Sequence, residues 1–189
     1  MNNIALLVGA IIVIYEILAI FMGALPGWVL SQTEPGPGVR PLTQAEDRGR
    51  SVYVAEGCAY CHTQNVRPLA QDRVYGRPST RGDYAYSTPE LLSDHRNGPD
   101  LSNIGARQPS DVWQYIHLYQ PRSLVNASIM PAYPWLFVAK THAEPGEVVV
   151  GVPTAYAPRG KVIVTRQEAQ DLVAYLKSLK QPALKAISK

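Results

Sequence analysis

Side chains that bind metals or crosslink a chain are scarce in this sequence. The 189 residues include two Cys, three Met and four His. Two cysteines exclude a disulfide-rich scaffold, and they also exclude zinc or iron–sulfur sites built from four thiolates. Because these side chains are so few, each of them can be considered individually for a role.

Basic residues are absent from positions 1–39, which hold two acidic side chains, Glu16 and Glu34. The rest of the chain carries all 18 Lys and Arg residues, interspersed with acidic ones. A dispersed positive surplus is weak evidence for nucleic-acid binding, so no nucleic-acid partner is predicted.

One long hydrophobic run lies in the segment without basic residues. Ile4 to Leu25 is 22 residues long with one ionisable side chain, Glu16. At about 1.5 Å per residue, such a helix crosses a hydrocarbon core of about 30 Å. A cleaved signal peptide is the alternative, but no basic residue precedes the run and no A-x-A cleavage site is clear. We predict an anchor at residues 1–30, a Pro/Gly linker at 31–42 and a soluble domain at 43–189.

Glu16 is unusual inside this apolar run. A carboxyl group that faces lipid is costly, so we expect Glu16 to face a partner helix or a water-accessible pocket. Ala19 and Gly23 are four residues apart and offer a face for close helix contact. Together they favour an anchor that packs inside a larger membrane complex.

Both cysteines belong to one motif, Cys58-Ala59-Tyr60-Cys61-His62. In C-x-x-C-H the two thiols form thioethers to one haem, and the following histidine binds the iron. A redox dithiol would need a βαβ context, and zinc would need further ligands, so one covalently bound haem c is predicted. Haem c is attached on the outer side of the membrane. We therefore expect a single-pass protein of the plasma (inner) membrane, with its N-terminus cytoplasmic and its haem domain periplasmic.

The second axial ligand of the iron is predicted by elimination. Met1 is the initiator and Met22 lies in the anchor, which leaves Met130 beside Pro131 in the soluble domain. Low-spin His62/Met130 ligation, which raises the reduction potential, is the prediction. Three histidines compete for this position: His95, His117 and His142. His117 lies on a helix predicted at residues 110–119, where a surface-exposed histidine is the ordinary expectation.

Capping boxes predict two helices. Thr43 and Glu46 open a helix that runs to about Glu56, and Thr165 and Glu168 open a second one near the C-terminus. The second helix carries one apolar stripe, namely Ala169, Leu172, Val173, Leu176 and Leu179. Gly49 and Tyr53 on the first helix are predicted to meet Tyr175 on the second.

These features together resemble the class I cytochrome c fold. The likeness includes the capped first helix, CAYCH, Gly98-Pro99-Asp100-Leu101 followed by Gly105-Ala106-Arg107, Met130-Pro131 and the C-terminal LVAYLKSLK helix. The resemblance implies a mainly α domain with long loop insertions after one transmembrane helix. It also implies that the Pro99 backbone carbonyl accepts a hydrogen bond from His62, which fixes the ring and raises its basicity.

A closer resemblance exists to the monohaem subunit II of cbb₃-type haem–copper oxidases. It rests on GCAYCHTQNVRP, DRVYG, NGPDLSNIGAR and SIMPAY, over roughly residues 40–137. The resemblance implies an electron-relay subunit, with other c-type cytochromes as donors and a catalytic haem–copper membrane subunit as its partner. Two stretches depart from the family: residues 77–97, and residues 135–164 with the strand-like runs EVVVGV and KVIV.

Arginines in and just after the long insertion that follows the haem motif (residues 63–97) are candidates for the haem propionates, because the planar guanidinium suits carboxylates. Arg67, five residues after His62, is the first candidate, and Arg107 is the second. The insertion is also rich in tyrosine, which favours a partner interface; these residues are Tyr75, Tyr84 and Tyr86.

Three other functions stay open at this point. One is the cytochrome c subunit of a nitric oxide reductase, and another is a membrane-tethered carrier without a permanent partner. The third is an enzyme with an open haem coordination site, which would require that Met130 does not bind iron. No catalytic constellation with recognisable spacing is present in the sequence.

Overall fold

The computed structural model describes residues 3–93 and 95–182, which form two compact units. The first unit contains the described residues up to Arg40 together with Thr80–Glu90. The second contains Pro41–Ser79 and the described chain from Leu91 onward.

An apolar helix dominates the first unit. It consists of α1 (Asn3–Ala19), a π-helical turn (Ile20–Ala24) and α2 (Leu25–Ser31). The three segments form one helix of 29 residues with a mean hydropathy of 2.8 over its most apolar window and no buried residue in that window. By length and composition it can cross a membrane, as the sequence predicts.

Two helices pack together in the second unit, α3 (Gln44–Ala55) and α6 (Gln167–Ser178). The capping box of α3 is confirmed: the Glu46 amide donates to Thr43 Oγ1, and the Thr43 amide donates to the Glu46 carboxylate at 2.7 Å. The predicted pairing of Tyr53 with Tyr175 is also confirmed, with ring centroids 5.6 Å apart in an edge-on arrangement.

The predicted start of α6 is wrong. Thr165 ends a strand, where its amide donates to the Val148 carbonyl at 3.0 Å, and Arg166 is the N-cap residue. The Thr165 hydroxyl accepts from the Gln170 side chain instead of capping the helix. The apolar stripe of α6 does face the core, where Ala169, Leu172 and Val173 are buried.

A short helix, α4 (Ile104–Arg107), precedes α5 (Asp111–Tyr119), which Ser110 caps. Five 3₁₀ turns occur among the described residues: Cys58–Tyr60, Ala70–Asp72, Arg81–Tyr84, Pro121–Ser123 and Pro134–Leu136.

A small antiparallel sheet occupies the segment that departs from the resemblance. Its strands are β1 (Phe137–Lys140), β2 (Val149–Val150) and β3 (Val162–Thr165), in the order β1-β3-β2. The strand-like runs of the sequence are thus confirmed as β2 and β3, and Phe137 of β1 lies opposite Thr165. Buried residues of the sheet and of the helices belong to one hydrophobic core.

Candidate haem attachment site

The haem motif directly follows α3. The Cys58 carbonyl accepts from the amides of Cys61 at 3.2 Å and His62 at 3.0 Å, so the motif folds as one tight turn. Both cysteines are half-buried free thiols. Burial raises the pKa of the Cys58 thiol to about 12. Among the described residues the strands pair antiparallel and lie far along the chain from this motif, so the βαβ context of a redox dithiol is absent there.

His62 is held by the backbone of residues 98 and 99. Its Nδ1 lies 2.7 Å from the Pro99 carbonyl oxygen. Because a carbonyl only accepts, Nδ1 carries the proton and Nε2 keeps its lone pair free for a metal. Burial lowers the pKa of His62, which favours the neutral imidazole that binds iron.

Gly98 lies flat against the imidazole. A Cβ at this position would lie 2.8 Å from His62 Nδ1 and 2.9 Å from Nε2. These distances are too short for any residue with a side chain, so the position requires glycine. The Gly98 amide donates to the Cys61 carbonyl at 2.9 Å, and the Leu101 amide donates to the Thr63 carbonyl at 2.8 Å. The segment around Pro99 is therefore bound to the motif on both sides of His62.

Met130 lies half-buried against the core in a segment that reaches back to the haem motif. Three residues after Met130, the buried Tyr133 places its hydroxyl near the Cys58 thiol. Trp135 donates its indole N–H to Glu56 at 3.0 Å, just before the motif. These contacts bring the Met130 segment and the cysteines together, although 68 residues separate Met130 from His62.

His117 differs from the surface residue that the sequence predicts, and that expectation is wrong. Its ring is half-buried and stacks on Trp113, with centroids 4.5 Å apart and planes 13° from parallel. Its Nδ1 is buried without a hydrogen-bond partner. Burial, and secondarily the proximity of His62, lower the pKa of His117 to about 4, so the ring is neutral at pH 7.

The two arginines predicted to bind propionates have different surroundings. Arg67 makes a two-pronged ion pair with Asp72, with both N–O distances at 3.0 Å. Arg107 donates to the Asp100 carbonyl from Nη2, and its guanidinium lies 5.3 Å from the centre of the Tyr75 ring. The Nε of Arg107 is buried without a partner and so has a donor left for another anion.

Asp72 and Asp100 are site residues that sequence reasoning missed, and both are fully buried at 0% exposure. Hydrogen bonds from Arg67 and Arg96 hold the pKa of Asp72 far below its usual range. The sequence signal for these two residues was their position in the motifs DRVYG and GPDL. Nothing in the sequence indicates that either aspartate pairs with Arg96.

The donor set suits a covalent haem. Two half-buried free thiols are next to an imidazole whose Nε2 is free, and the ring packs closely against the backbone of Gly98. In the described residues, no group of three or more His, Cys, Asp or Glu side chains is placed to hold a metal ion.

A family model for the cytochrome c oxidase mono-heme subunit, FixO, matches residues 1–150. The chain belongs to this family. No curated protein sequence matches it significantly. The resemblance to the monohaem oxidase subunit is thereby confirmed, and the match includes the apolar helix, the haem motif, the Pro99 segment and Met130.

Membership in the FixO family makes this chain the haem-bearing subunit of a cytochrome oxidase complex, so a catalytic oxidase subunit is its partner. The apolar helix is consistent with a single-pass anchor for such a subunit.

Proposed function

We propose that this protein is the electron-relay subunit of a haem–copper oxidase. It receives electrons from another c-type cytochrome and passes them to the catalytic membrane subunit. The observation that carries the proposal is the His62–Pro99 hydrogen bond of 2.7 Å, in a chain of the FixO family. That bond holds a neutral imidazole with one nitrogen available, which is what a permanent proximal iron ligand requires.

A haem bound at this site supplies reversible one-electron iron chemistry. Cys58 and Cys61 would hold it through two thioethers, with His62 as one axial ligand. Met130 would be the other, giving a low-spin His/Met centre in a class I cytochrome c fold. The unpartnered Nε of Arg107 supports this residue as a propionate contact. Arg67 could contact a propionate only while it also keeps its ion pair with Asp72.

The proposed orientation follows from the haem chemistry. The helix Asn3–Ser31 would cross the plasma membrane once, with residue 1 on the cytoplasmic side. The soluble domain would then lie on the periplasmic side, where haem c is attached and where donor cytochromes are found.

Purification of the tagged full-length chain from its native membrane in mild detergent tests the relay. We expect it to bring down a catalytic haem–copper subunit, and the isolated complex to oxidise a reduced c-type cytochrome. A stable monomer without a partner would favour a tethered carrier. A partner that reduces nitric oxide and not oxygen would assign the chain to a nitric oxide reductase.

Replacement of Met130 by Ala tests the axial assignment. The oxidised protein should lose its weak near-infrared sulfur-to-iron band, and the reduction potential should fall, because a thioether ligand raises it. Met22→Leu, in the anchor, is the matched control and should leave the band unchanged. If the band survives in Met130→Ala, or if His117→Gln alters the axial spectrum instead, the assignment of Met130 is wrong.

A further inference from the structure

A buried polar cluster lies behind the His62–Pro99 hydrogen bond, and it starts with Asp100. One carboxylate oxygen of Asp100 accepts from the Thr63 hydroxyl at 2.6 Å and from the Asn65 amide at 2.8 Å. The other accepts from the Ser102 amide at 2.8 Å. Since Thr63 follows His62 and Asp100 follows Pro99, this carboxylate ties the ligand segment to the segment of its acceptor.

Arg96 crosses the same two segments. Its Nε donates to the Thr63 hydroxyl at 2.9 Å, and its Nη2 donates to the Asn65 carbonyl at 3.0 Å and lies 3.5 Å from Asp100. The Arg96 side chain is 15% exposed. The Thr63 hydroxyl therefore accepts from Arg96 while it donates to Asp100, and its rotation is fixed by both.

Asp72 completes the cluster from within the insertion. Its carboxylate accepts from Arg96 Nη1 at 2.8 Å and from Arg67 at 3.0 Å, and it is fully buried. A buried carboxylate between two guanidinium groups gives strong, geometrically specific hydrogen bonds. Asp72 thus orients the Arg96 guanidinium towards Thr63, which follows the proposed haem ligand, and Asp100, which follows its acceptor.

We propose that Asp72, Arg96 and Thr63 are positioning residues for His62, through which the insertion sets the reduction potential of the haem. The inference rests on the proposed haem function. Loosening the cluster leaves the Pro99 segment held by the backbone hydrogen bonds of Gly98 and Leu101 alone. The Nδ1–Pro99 bond then weakens, which lowers the basicity of the imidazole and favours ferrous iron. The carboxylates face Arg67 and Arg96, and Arg107 donates to the Asp100 carbonyl, so a change at the uncharged Thr63 alters the geometry of the cluster without altering its charge.

The test is the midpoint potential of the haem in the full-length holoprotein, measured by spectroelectrochemical titration. Thr63→Val removes the shared hydroxyl without changing any charge. We expect the ferrous-to-ferric ratio at a fixed applied potential to rise at least threefold, where tenfold corresponds to about 59 mV. Thr63→Ser keeps the hydroxyl and should restore the wild-type potential.

Asp72→Asn should shift the potential in the same direction. In the double variant with Thr63→Val, the shift should be smaller than the sum of the two, because both changes release the same cluster. Glu147→Gln is the charge-matched control: it breaks a surface ion pair with Lys140 at 2.6 Å and should leave the potential unchanged.

Two outcomes overturn the proposal. One is an unchanged potential in Thr63→Val with its haem attached; the other is additive shifts, which indicate that Thr63 and Asp72 act independently. If Thr63→Val yields no holoprotein, Arg96→Lys replaces it, because it keeps the charge but cannot span the same partners; an unchanged potential there also overturns the proposal. Absence of haem from the wild type would instead refute the proposed function.

Discussion

At the scale of single residues, backbone atoms define the space around His62. The Pro99 carbonyl fixes the tautomer of the ring, and Gly98 leaves the ring face uncovered by any side chain. Because main-chain atoms have few alternative positions, the ligand is held in place before the haem is attached. Such preorganisation is what a metal ligand gains from its surrounding hydrogen bonds.

Gly98→Ala tests this arrangement. The added methyl group would overlap the imidazole, so the ring must turn away from its acceptor. We expect the fraction of chains with covalently bound haem to fall several-fold, as measured by the pyridine haemochrome spectrum per mole of protein. Gly151→Ala is the control, because a Cβ there meets nothing within 4 Å. Equal haem content in the two variants would contradict the prediction.

The proposed haem-binding residues can be picked out in the sequence because haem attachment dictates their spacing. Two vinyl groups and one iron define C-x-x-C-H, and scarcity singles out Met130 as the remaining thioether of the soluble domain. The cluster around Asp72 could not be predicted. Its contact with Arg96 joins two ordinary charged residues 24 positions apart, and only the folded insertion brings them together.

At the scale of elements, the crossing of α3 and α6 holds the two ends of the second unit together. Gly49 allows the close approach, since a Cβ there would lie 2.8 Å from the Cβ of Tyr175 and closer still to the Asp171 carbonyl. Next to it, Arg48 and Asp171 form a two-pronged ion pair at 2.7 and 2.9 Å.

Gly49→Ala should therefore separate the helices. Overpacking at a close contact costs about 1–3 kcal/mol of unfolding free energy, and the backbone clash places this site at the upper end. Denaturant unfolding should show a lower midpoint with an unchanged slope. Ser51→Ala, on the exposed side of α3, is expected to stay within about 0.5 kcal/mol of the wild type. Equal stabilities of the two variants would show that the helices can move apart freely.

The Arg48–Asp171 pair predicts a pH dependence. The Arg48 hydrogen bonds lower the pKa of Asp171 in the folded protein. The stabilisation is therefore complete above the unfolded pKa of about 3.9 and is lost as the pH falls through the lower folded value. The difference in unfolding free energy between wild type and Asp171→Asn should be fully present at pH 7. It should shrink and then disappear as the pH falls below about 4.

A double-mutant cycle with Arg48→Gln isolates the contribution of this pair. The coupling energy should vanish at low pH together with the stability gap. A gap that stays constant from pH 7 to pH 2 would mean that Asp171 acts through packing and not through its charge.

A capping box predicted α3, and helical periodicity predicted the apolar stripe of α6, because both signals lie within a few residues of one another in the chain. The start of α6 was misplaced, since the amide and hydroxyl of Thr165 are used by β3 and Gln170. The pattern S/T-x-x-E describes only local bonds, and a neighbouring strand competed for the same residue. The pairing of β1 with β3 likewise depends on contacts between segments about 25 residues apart.

At the scale of the whole molecule, the family match extends over both the apolar helix and the haem-bearing residues. The helix Asn3–Ser31 carries Glu16 near its middle, and all of its side chains are exposed in the isolated chain. In a bilayer, a carboxyl group at that depth is stabilised by a polar partner on a neighbouring helix. The catalytic subunit of the oxidase complex is the natural source of such a helix.

Glu16→Leu is expected to lower the yield of assembled complex at least twofold, because the partner group would lose its acceptor. The amount of catalytic subunit that copurifies with the tagged chain in mild detergent measures this effect. Tyr15→Leu, one residue away, is the control and should assemble normally. Wild-type yield for Glu16→Leu would mean that the carboxyl group is merely tolerated.

The hydrogen bonds from Gly98 to Cys61 and from Leu101 to Thr63 also mean that the long insertion leaves the haem motif and returns to the same point. A loop closed at its base can change its length with little cost, since doubling a flexible loop costs only about 0.6 kcal/mol of closure entropy. Its outer part can therefore change in length or take up a partner without disturbing the base around His62.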